Sequence, residues 1–153
     1  MKMHITKTLI ATLILLAALP SGKAFAQEQQ PSPAPVRDDA SDPVVEKALA
    51  WLGDIDSGRY AQSWRNTSAG FQNAVTETDW EKALKSVRAP LGTLAKRQLQ
   101  HCQQTSTLPG APKGDYVVMQ FATEFSRKKS AVETVTFSRE SDGAWRASGY
   151  FIK

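Results

Sequence analysis

Thiol and imidazole are scarce in this chain: among 153 residues there is one cysteine, Cys102, and two histidines, His4 and His101. A lone cysteine excludes an internal disulfide, so the fold must be held by its core. Glycine-rich phosphate loops, zinc-type Cys or His pairs, the G-x-S-x-G elbow and H-E-x-x-H are all missing, which removes the usual signatures of most catalytic classes. His4 lies in the leader described below, so a Ser-His or Cys-His device would have to use His101. Cys102 is its neighbour, but adjacent strand positions face opposite sides, so His101 reads as an ordinary hydrogen-bonding strand residue. No metal and no cofactor are expected. Long apolar runs are missing too: the uncharged stretch 8–22 has 15 residues, short of the ~20 that cross a bilayer.

The formal charge of +4 suggests a nucleic-acid partner until it is sorted by position. Lys2, Lys7 and Lys23 fall in the first 26 residues, which hold no Asp or Glu, so the remaining 127 residues carry about +1. No basic footprint for nucleic acid is left. Two lysines, an uncharged run and the small-x-small sequence Ala24-Phe25-Ala26 describe a cleaved signal peptide over residues 1–26. A lipid anchor would need a cysteine just after the run, and Cys102 lies far from it. The expected product is periplasmic or secreted, without a stable membrane anchor. Residues 27–42, rich in Gln and Pro and without an aromatic side chain, read as a disordered spacer before a single domain over 43–153.

Within that domain Asp42 and Pro43 start a helix whose Val45, Leu49 and Leu52 recur at helical spacing, and Gly58 ends it. A short second helix from Arg59 to Asn66 carries Tyr60 and Trp64 on one face. Thr76 or Thr78 caps a third, which ends before Pro90 and Gly92. The period then changes to alternation, with strands expected over 93–105, 115–127, 130–140 and 144–153. Lys128-Lys129 and Ser141-Asp142-Gly143 read as hairpin loops. Three N-terminal helices packed on one face of a four-stranded curved antiparallel sheet make an α+β fold.

One constellation invites chemistry. With the turn at Lys128-Lys129, Glu124 falls opposite Glu133, and in a closed pocket such a pair raises one carboxyl pKa toward acid-base work. On the surface, the same glutamates would neutralise Arg97, Arg127, Lys128 or Lys129. The expected face beneath them carries Val135, Phe137, Trp145, Ala147 and Phe151. The aromatics allow a cavity lined by Tyr60, Trp64, Trp80 and Tyr150, with Gln120, Glu124 or Glu133 as polar anchor, or else a filled core.

Trp64, Phe71, Trp80, the run Arg88-Ala89-Pro90-Leu91-Gly92, Arg97, Glu133 and the ending from Asp142 through Gly143 and Gly149 to Tyr150 together resemble the bacterial exported family called domain of unknown function 4019. The likeness runs from Val44 to Lys153. The layout also resembles the nuclear transport factor 2-like superfamily, which implies a sheet wrapped with helices into an open cone. That superfamily holds ketosteroid isomerase-like enzymes and many non-enzymatic binding modules. The catalytic sets of those enzymes have no matching positions here. The expectation is therefore a non-enzymatic module for a small apolar ligand or a periplasmic protein. An acid-base enzyme using a pocket carboxylate is the alternative, and a homodimer through the sheet surface a third reading. Arg88, Arg97 and Glu133 are expected to hold structure, a guanidinium bridging a helix end and a strand. Pro90, Gly92, Gly143 and Gly149 are expected to shape turns and close contacts.

Overall fold

The structure is a computed structural model and describes residues 42–153; the expected signal peptide, and the spacer up to residue 41, lie outside the described residues. Four helices precede four strands: α1 (Pro43–Asp56), α2 (Tyr60–Arg65), α3 (Ala69–Ala74), α4 (Glu77–Arg88), β1 (Leu94–Thr105), β2 (Tyr116–Phe125), β3 (Lys128–Arg139) and β4 (Trp145–Ile152). The strands form one open antiparallel sheet in the order β1-β2-β3-β4.

Local chemistry explains the helix ends. The Asp42 carboxylate accepts from the Val44 N–H at 2.8 Å, and Pro43 occupies the first turn, where its missing donor does no harm. Helix α1 then buries Val45, Ala48, Trp51, Leu52 and Ile55 and ends at Gly58, whose φ of 73° suits glycine. At α4, the Thr76 hydroxyl accepts from the Asp79 N–H at 3.1 Å, so Thr76 is the cap. The expected three helices are corrected to four. The extra one, α3, buries no residue completely, so its six residues carry no apolar stripe, and the Ser68 hydroxyl caps it at Phe71 N.

The buried alternate residues of the sheet, among them Val117, Met119, Phe121, Val135, Phe137 and Ala147, join those of α1 and α4 in one apolar cluster. The start of α3 is pinned to the β4 edge, where Thr67 bridges Ala147 and Ser68 N–H donates to the Ala147 carbonyl at 2.8 Å.

Strand registers differ from expectation in two places. The second hairpin reverses at Ser126-Arg127, with Phe125 already paired to Lys128, so Phe121 and not Glu124 faces Glu133. The reason is tertiary: the Ser126 and Arg127 N–H groups donate to the Thr93 and Leu91 carbonyls, which holds the turn against the α4–β1 connection. Glu124 falls at an irregularity in the pairing and is exposed. In the last hairpin a second irregularity separates the pairs Thr136–Gly149 and Phe137–Ala147. One inserted residue exchanges the faces beyond it. Tyr150 is consequently inward, and Phe151, expected on the apolar floor, is 55% exposed.

Candidate functional site

The most concentrated chemistry lies inside the fold, where α1, α4, β1 and β3 each contribute one charged group. Arg97 Nε donates to Glu133 Oε2 at 2.7 Å, while its Nη1 and Nη2 reach Asp56 Oδ2 and Oδ1 at 2.7 and 3.0 Å. Arg88 Nη2 donates to the same Asp56 Oδ1 at 2.5 Å, and its Nη1 to Glu133 Oε1 at 3.3 Å. The Arg88 guanidinium also stacks 4.4 Å over the Phe125 ring. Side-chain exposures of 5% for Arg88, 6% for Arg97, 14% for Asp56 and 0% for Glu133 place the four charges in the interior. Two cations and two anions cancel, as burial demands.

Two hydroxyls complete the arrangement. Tyr150 donates to Glu133 Oε1 at 2.7 Å and Thr123 to Glu133 Oε2 at 2.7 Å. Glu133 therefore accepts four hydrogen bonds, which fills the four lone-pair positions of a carboxylate. Burial, and then the neighbouring Glu133 charge, hold the Tyr150 hydroxyl well above the ordinary tyrosine range. For Arg97 burial works the other way, but the hydrogen bonds to Asp56 and Glu133 outweigh it and the guanidinium stays charged. The ion cluster leaves Glu133 no lone pair for a substrate proton, whereas Asp56 accepts three bonds, from Arg88 and Arg97, and keeps one position on Oδ2. Arg88, Arg97 and Glu133 meet in this cluster. The anchor that sequence reasoning missed is Asp56; its signal was an acid one turn beyond Leu52 on the apolar side of α1.

The aromatic candidates pack against one another. Trp80 lies 6.0 Å from Trp51 and 6.3 Å from Tyr150 between ring centroids, and Phe71 lies 5.2 Å from Trp80. Trp64 and Tyr60 pack at the margin of the same cluster. Trp51, Trp64 and Trp80 donate their indole N–H groups to Ser63 O, Val75 O and Ser63 Oγ. Trp80 and Tyr150, in ring contact with each other, also line a groove of about 200 Å³ with Leu84, Val87 and Phe151, and Tyr60 and Trp64 are not part of it.

Trp145 stands apart. It lines a groove of about 460 Å³ between α1, the end of α2 and the β3–β4 hairpin, together with Lys47, Trp51, Asp54, Arg65 and Arg146. Gln120 and Glu124 are exposed on the sheet face away from the helices. At the α4–β1 connection, Pro90 follows the helix and Gly92 adopts φ 79°, where a Cβ would stand 2.1 Å from Ser126 Oγ. Gly143 also has φ 79°, in the last hairpin. Gly149 is sterically undemanding, since a Cβ there would meet Thr136 only at an ordinary 3.5 Å.

Among the described residues no helix is long and apolar enough to cross a membrane, and no group of His, Cys, Asp and Glu is placed to hold a metal ion. No curated protein matches the chain. The profile of one family, described as protein of unknown function (DUF4019), matches residues 47–150, a span that takes in Asp56, Arg88, Arg97, Glu133 and Tyr150, and the chain belongs to that family.

Proposed function

We propose that this protein is a small exported, non-enzymatic binding module, and that its helices-on-one-face sheet is of the nuclear transport factor 2-like kind. The observation that carries the reading is the saturation of Glu133, the one fully buried carboxylate among the described residues, by Arg88, Arg97, Thr123 and Tyr150. An acid-base enzyme needs a pocket carboxylate with a free lone pair facing a cavity. Glu133 has neither, and Glu124 stands in solvent. The contacts among Trp51, Trp80 and Tyr150 support a reading in which recognition belongs to grooves at the surface.

The signal-like leader, with its lysines, uncharged run and Ala24-Phe25-Ala26, supports export and cleavage before Gln27. Expressed with its leader in a Gram-negative host, the protein is expected in the periplasmic fraction with an intact mass beginning at Gln27. Mass spectrometry of what co-purifies from that fraction tests the binding role. A cytoplasmic, full-length chain would overturn export; hydrolytic or isomerase turnover that Glu133→Gln abolishes would overturn the non-enzymatic reading. A second copy is the alternative partner, favoured by the exposed apolar Val132 and Phe151 of the sheet. Light scattering separates that case.

A further inference from the structure

We propose that the groove between α1 and the β3–β4 hairpin binds a small aromatic carboxylate; the inference rests on the binding-module reading and names its ligand class. Three observations converge there. The first is an indole without an internal partner. Of the four tryptophans, Trp145 alone makes no hydrogen bond through its N–H among the described residues, and that nitrogen is open to solvent. A half-buried indole that leaves its donor free presents one flat apolar surface and one polar handle.

The second is charge. Three cations, Lys47, Arg65 and Arg146, line the groove against one carboxylate, Asp54. Asp54 is already engaged, since Arg59 donates to its Oδ1 through Nε at 3.0 Å and Nη2 at 2.8 Å. Arg65 holds Glu77 through Nε and Nη2, leaving Nη1, and Arg146 holds Asp142 through Nη1 and Nη2, leaving Nε. Lys47 makes no ion pair among the described residues. An entering anion therefore meets one unpaired ammonium and two guanidiniums that keep spare donors.

The third is size and floor. About 460 Å³ lies within the range of small-molecule sites, and the half-buried Trp145 supplies the aromatic surface beneath the cations, backed by the edges of the core residues Trp51 and Phe137. A flat ring against Trp145 with its carboxylate toward Lys47 uses both features. A neutral ring would forgo the cations, and a bare carboxylate the floor.

The test uses the folded chain from Gln27, 15N-labelled, with 2-naphthoate as probe and 2-naphthalenemethanol and acetate as controls. Trp145→Phe assigns the Trp145 indole signal. Millimolar 2-naphthoate is expected to shift that signal most among the four, and to bind more tightly than either control. Lys47→Gln should weaken 2-naphthoate about fivefold, the scale of one exposed ion pair, and leave 2-naphthalenemethanol unchanged. A stationary Trp145 signal, equal binding of the neutral control, or an unaltered affinity in Lys47→Gln would each overturn the proposal. If the probe fails while a partner co-purifies from the periplasm, the ligand class falls and the binding module stands; if both fail, both fall.

Discussion

Arg97 and Glu133, 36 residues apart in the chain, meet through a 2.7 Å Nε–Oε2 contact deep in the interior. Their partner Asp56 ends α1 and Arg88 ends α4, so a helix pair and two non-adjacent strands converge on one ion cluster. Apolar packing alone would let those elements slide by small steps. Directional charged hydrogen bonds fix one arrangement.

Removing one member should be expensive. Arg97→Ala strands Asp56 and Glu133 with Arg88 alone, and the unfolding free energy from urea titration is expected to fall by about 3 kcal/mol, as for other broken buried pairs. A loss below about 0.5 kcal/mol would mean the pair behaves as a solvated surface contact.

The two glutamates should part company. Glu133→Gln keeps the shape but removes the charge that balances two guanidiniums, and a loss of at least ~2 kcal/mol is expected. Glu124→Gln, at an exposed irregularity of β2, should change stability by less than ~0.5 kcal/mol. Equal effects in thermal or urea unfolding would contradict this assignment of roles.

Which parts of this arrangement the sequence disclosed follows from the range of the forces involved. Caps and periodicity are local, so α1, α4 and the four strands could be read from Asp42, Pro43, Thr76 and the alternation after Gly92. Helix α3 could not, because Phe71 is its one substantial apolar anchor and no stripe exists. The hairpin registers escaped for a different reason. Ser126 and Arg127 are held by the Thr93 and Leu91 carbonyls, a contact more than 30 residues away that no turn composition reveals. One irregularity before Gly149 then turned Phe151 outward and Tyr150 inward. Of the ion cluster, Arg88, Arg97 and Glu133 were legible through the resemblance, whereas Asp56 acquires its meaning only once the folded chain brings the Arg88 and Arg97 side chains to the end of α1.

Gly92 offers a separable test of that distant contact. Alanine there must adopt φ 79° and place its Cβ 2.1 Å from Ser126 Oγ, the atom that accepts from Thr93 N at 3.0 Å. Gly92→Ala is expected to lose about 2 kcal/mol, roughly half from the left-handed backbone. Adding Ser126→Ala removes the clashing oxygen and should recover part of the loss. Strict additivity of the two substitutions in a double-mutant cycle would show that they do not touch.

Tyr150 ties the cluster to pH. Burial and the adjacent Glu133 charge raise its folded pKa above the ordinary 10.0, so the neutral hydroxyl is favoured in the native state. For an acid shifted upward, the stabilisation is complete below the unfolded pKa. Above it the unfolded tyrosine sheds its proton while the folded one keeps it, and stability falls as pH rises. Tyr150→Phe removes the 2.7 Å bond to Glu133 and should lose about 1–2 kcal/mol near neutral pH. The same variant lacks the titrating group, so the gap between wild type and Tyr150→Phe should narrow from about pH 10 upward, by at most ~1.4 kcal/mol per pH unit. Urea unfolding at stepped pH from about 8 to about 11 measures that gap directly, because other tyrosines and lysines titrate in both proteins alike. A gap that stays constant across the range would place the Tyr150 hydroxyl in solvent and detach it from the buried charges.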